Sequence, residues 1–73
     1  MNGKITFEIV EHVGVIDRGT DWTKELNVVS WNGGAPKFDI REWNEDHTRM
    51  SKGVTLTAEQ AAALCELLKV RFM

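Results

Sequence analysis

One cysteine, one proline, no tyrosine and no apolar run near the ~18 residues of a membrane span leave this 73-residue sequence few ways to anchor or staple itself. Cys65 has no second thiol to pair with, and no Cys/His group has zinc-ligand spacing, so neither a disulfide nor a metal is available. No charged segment followed by an apolar core stands at the N-terminus, and the expected compartment is a reducing cytoplasm. Positive charge is also short: 9 Lys and Arg against 11 Asp and Glu give a net charge of −2. A nucleic-acid partner usually announces itself through a basic balance. The total does not fix the distribution, however, and cations gathered on one face still attract anions. A chain of this size makes one domain, expected over residues 1–73. Such a domain buries only about 60% of the surface its unfolded chain exposes, which leaves self-association as the remaining common source of stability.

What is present is alternation. Ile5, Phe7 and Ile9 alternate with Thr6, Glu8 and Val10, and the β-branched run continues through Val13, Val15 and Ile16; this predicts a long first strand, or one bent near Gly14. A turn is expected over Asp17-Arg18-Gly19-Thr20-Asp21. Lys24 to Asn32 then alternates, with Leu26 and Val28 on one face and Asn27, Val29 and Trp31 on the other. Asn32-Gly33-Gly34-Ala35-Pro36 is dense in turn formers and predicts a hairpin into a third strand, PKFDIREW. Asn44 to Lys52 is polar and aperiodic, hence a loop, and Gly53 to Leu56 reads as a short fourth strand.

Thr57-Ala58-Glu59-Gln60 has the form of a capping box, which starts a helix near Ala58 that runs to about Arg71. On its helical projection Ala61, Leu64, Cys65, Leu68 and Phe72 form one apolar stripe, and Ala63, Leu67 and Val70 form a second. One stripe covers the chain's own sheet. The other lacks a partner within so short a chain, which assigns Ala63, Leu67 and Val70 to a dimer interface. The expected fold is therefore α+β: a four-stranded antiparallel curved sheet followed by one C-terminal helix (ββββα), a homodimer packed through its helices.

An enzyme finds little to work with. Cys65 lies mid-helix, two turns from the N-terminus that could activate a thiolate, and reads as a small core residue. His12 and His47 have no assignable partner, Asp39 and Glu42 point to opposite faces of one strand, and no helix starts directly after Gly33-Gly34 to make a phosphate loop. No catalytic, metal or cofactor site is expected.

The tryptophans carry more. Trp31 and Trp43 fall on the sheet face opposite Leu26, Val28, Phe38 and Ile40, together with Asn27, Lys37, Asp39 and Arg41. Burying that face takes partners for each polar group. Left open, flat aromatics interleaved with Arg and Lys suit stacked bases and a phosphate backbone. A surface for protein partners, or one for single-stranded RNA, fits the same residues.

FDIREW, the loop ending in Lys52-Gly53-Val54-Thr55-Leu56 and the TAEQ helix start resemble, in order, the single-stranded-DNA-binding domain of the transcriptional positive cofactor four family, and in particular its small YdbC-like bacterial members. The resemblance implies a ββββα dimer whose curved sheets form grooves for unpaired DNA, serving transcription or DNA maintenance. It implies DNA contacts from Arg41, Lys52, Trp31 and Trp43, with Trp22 and Lys24 matching less closely; Lys37 joins them through its place on the same face. Asn32-Gly33-Gly34-Ala35-Pro36 stands where eukaryotic members have a lysine-rich hairpin. The partners implied are single-stranded DNA and a second copy of the chain.

Overall fold

The computed structural model describes residues 5–73, so the first four residues of the expected domain lie outside it. Its elements are β1 (Phe7–Arg18), β2 (Trp22–Trp31), β3 (Lys37–Asn44), β4 (Val54–Leu56) and α1 (Ala58–Phe72). The four strands form one antiparallel sheet in sequence order, β1-β2-β3-β4, followed by the helix. This is the ββββα order expected from the alternation and the capping signal.

Local chemistry accounts for the joints. Asn32 and Gly33 both take positive φ (52° and 74°), and the Gly34 N–H bonds the Trp31 carbonyl at 2.8 Å, closing the turn that a side chain tolerant of left-handed backbone followed by glycine favours. At α1 the Thr57 hydroxyl accepts from the Gln60 N–H at 3.1 Å, and the Gln60 side chain accepts from the Thr57 N–H at 2.9 Å. Glu59 in the first turn and Lys69 and Arg71 in the last complement the helix dipole.

β1 is one long strand that bends beside Gly14, as expected, and at two further places. Its register against β2 slips between Ile9 and Glu11, between His12 and Gly14, and between Val15 and Asp17, leaving Val10, Val13 and Ile16 as extra residues. Bulges raise local twist and bend a strand. Repeated along one strand, they curl β1 over the sheet until Phe7, which pairs with Trp31 on the neighbouring strand, also packs on Trp43 of β3, with ring centroids 5.0 Å apart.

That curl inverts the expected core. The fully buried side chains are Val29, Trp43, Asn27 and Asp39, with Glu25 nearly so, all on the face read from sequence as open. The opposite face, carrying Leu26, Val28, Phe38 and Ile40, is only half-buried. No residue of α1 is buried. The first helical stripe does turn toward this face, but a gap of about 870 Å³ remains, lined by Leu26, Phe38, Ile40, Ala61, Leu64 and Leu68 among others. Leu67 and Val70 of the second stripe are each 69% exposed. Among the described residues no helix is long and apolar enough to cross a membrane.

Candidate nucleic-acid interface

The inward face is polar, and its buried carboxylates and amide have partners within the chain, while the indole N–H groups of Trp31 and Trp43 are buried without one. The Asn27 amide donates to Glu25 at 3.1 Å and lies 2.7 Å from His12 Nδ1; the His47 Nε2 stands 3.0 and 3.1 Å from the two Glu25 oxygens. Burial raises the Glu25 pKa, but the hydrogen bonds from His47 and Asn27 and the charges of His47 and His12 outweigh it and leave the group below its usual value. Asp39 receives the Arg41 guanidinium on both oxygens, at 2.6 and 2.7 Å, and the Thr55 hydroxyl at 3.1 Å. Paired in this way, the polar groups cost little to enclose, so their presence does not require an open face.

Trp43 is the main correction. It is 0% exposed, held between Phe7 and the His47 ring at 5.4 Å, and β3 pairs it with Met50 in the returning loop. It offers no face to a base. The loop covers it because His47 adopts a left-handed backbone (φ 58°) while Asn44 and Arg49 hydrogen-bond across the turn, folding the segment back over the sheet.

Arg41 also differs from a free phosphate clamp. Besides Asp39, it donates to the Ser51 carbonyl at 3.3 Å and lies over the Trp31 ring, 4.5 Å from its centroid. The guanidinium is thereby fixed as a flat plate on the indole, with its charge balanced by a buried carboxylate. Gly53 permits this: a Cβ there would strike the Arg41 Cβ and the Ile40 carbonyl, so the Lys-Gly pair lets the loop pass directly over Arg41.

Three of the expected site residues meet. Trp31, Arg41 and Lys52 line one open groove of about 500 Å³ with Ile5, Asn32, Met50, Ser51 and Thr55. That volume lies within the roughly 300–1,000 Å³ of small-ligand sites. Lys37 is exposed on the same face, one alternation from Trp31 through its partner Val29. Lys24 and Trp22 share the alternation of Leu26 and Val28, which puts them on the helix-side face, away from the groove. Sequence reasoning missed Asp39, Thr55 and Ser51, which hold Arg41 in place. The available signal was Asp39-x-Arg41, two opposite charges two residues apart in a strand and therefore on one face.

A second groove, of about 640 Å³, lies at the other end of this face, between His12, Arg18, Glu25 and His47. Among the described residues no group of three or more His, Cys, Asp and Glu side chains is placed to hold a metal ion.

The comparisons point in one direction. The family described as Transcriptional Coactivator p15 (PC4) matches residues 19–67, which span β2, β3, β4 and most of α1. An uncharacterized protein of Treponema pallidum (strain Nichols) is 41% identical over 69 residues, covering 93% of this chain and 81% of that relative.

Proposed function

The chain belongs to the Transcriptional Coactivator p15 (PC4) family, and from that premise we propose that it binds single-stranded DNA with little dependence on sequence. The observation that carries this reading is the Arg41 guanidinium layered on Trp31 in an open groove beside Lys52. A base stacked there gains contact with the exposed part of that layer, while Lys52 and Lys37, exposed and without an acidic partner among the described residues, meet phosphates. The role is one of binding in transcription or DNA maintenance in the cytoplasm, not of catalysis.

The working unit in this reading is a homodimer. A 73-residue chain that leaves Leu67, Val70 and Phe72 exposed at 69, 69 and 82%, beside a half-buried apolar sheet face, has apolar surface for a second copy to cover. Ala63, Leu67 and Val70 then pack across the interface, joined by the bulged Val10, Val13 and Ile16, whose exposed side chains extend the same surface.

Titration with labelled oligo(dT), oligo(U) and duplex DNA of equal length tests the function. Preference for oligo(dT) that weakens with salt supports it; equal binding of the duplex, or none of the three bound, removes it.

A further inference from the structure

Resting on the single-strand reading, we propose that the Trp31 groove adds a modest preference for thymine over adenine to binding that otherwise depends little on sequence. The hydrogen-bonding groups around the groove are unequally satisfied. The Asn32 Oδ1 accepts from the Thr6 N–H at 2.9 Å and lies 3.4 Å from the Thr6 hydroxyl, which fixes the amide orientation. Its Nδ2, with two N–H groups, has no partner among the described residues, and neither has the Lys52 ammonium with its three.

Acceptors, in contrast, are nearly used up. Both Asp39 oxygens are buried and taken by Arg41 and Thr55. The Ser51 carbonyl accepts from Arg41, and the Ser51 hydroxyl accepts from the Glu42 N–H while donating to the Lys52 carbonyl. Thr55 Oγ1, whose hydrogen is directed to Asp39, keeps free lone pairs. Among its side chains the groove therefore offers several free donors and one hydroxyl acceptor. Thymine presents the complement along its pairing edge: a carbonyl, a ring N–H and a second carbonyl. The pairing edge of adenine carries one acceptor, N1, beside a donor amino group, so it satisfies one fewer of these donors than thymine does.

The test measures the affinity of the intact protein for oligo(dT) and oligo(dA) of equal length at one salt concentration, for the natural sequence and for Asn32→Asp. Aspartate keeps the acceptor for Thr6 and tolerates the left-handed backbone at φ 52°, but replaces the donor by an acceptor. Its added charge acts on both oligonucleotides, and adenine self-stacking acts on both proteins, so the change in the dT:dA ratio isolates the hydrogen bond. The ratio is expected to fall by about three- to tenfold. If melting reveals that this variant is misfolded, Lys52→Met, on an exposed side chain, is read in the same way. An unchanged ratio in the folded variant overturns the thymine assignment and leaves single-strand binding standing. Failure of the natural protein to bind either oligonucleotide overturns both.

Discussion

The two faces of the sheet have exchanged the properties their sequences announce. The face written in Asn, Asp, Glu, Arg and Trp is closed at its centre, with Trp43, Asn27 and Asp39 fully buried and grooves only toward its ends, whereas the face written in Leu, Val, Phe and Ile stands half-open beside a helix with no buried residue. The difference lies in where partners come from. Polar groups two residues apart on one strand find each other within the chain, as Asp39 and Arg41 do at 2.6 Å. Apolar groups need area, and a 15-residue helix set against one side of a sheet supplies too little. One face is thus finished by the monomer, while the other keeps apolar surface that a second copy covers in the proposed dimer.

Truncating the closed centre has the largest expected effect. Trp43→Ala removes the centre of the Phe7–Trp43–His47 cluster and is expected to cost about 3–5 kcal/mol of stability, enough to unfold much of the population of so small a domain. A melting curve within a few degrees of the natural protein would return Trp43 to the open face. On the other side, Leu67→Glu should leave the subunit folded and weaken association by more than the roughly 1–3 kcal/mol of an unpaired neutral polar group for each carboxylate buried across the interface. Sedimentation at micromolar concentration reads this directly, and a persistent dimer would place the interface elsewhere.

Acidification has a smaller effect and again separates the faces. The folded protein holds Glu25 below the ordinary value of 4.5, so its contribution is complete above about that pH and is lost as pH falls through the lower folded-state value. Acid unfolding should therefore be flatter in Glu25→Gln below pH 4.5 than in the natural protein; parallel curves would separate Glu25 from the stability of the inward face.

Strand order, the capping box and the Asn-Gly turn were legible because each rests on neighbours within four residues. The place of Trp31 and Arg41 on one face was legible through alternation, and Lys52 joined them only through the family resemblance. The burial of Trp43 was not legible. It depends on slips at Val10, Val13 and Ile16 that bring Phe7 across two strands, and strict alternation has no means of encoding an inserted residue. Trp22 and Lys24, which the resemblance groups with the DNA contacts, alternate with Leu26 and so stand on the helix side, apart from the Trp31 groove.

The central claim is that single-stranded DNA stacks at Trp31 and not at Trp43, and the oligo(dT) affinity of folded Trp31→Ala tests it most directly. A loss of roughly 1–3 kcal/mol, the worth of one stacked base, with the fold retained by circular dichroism, is the predicted result. Affinity equal to that of the natural protein would contradict the account and remove the Arg41–Trp31 layer from the binding site.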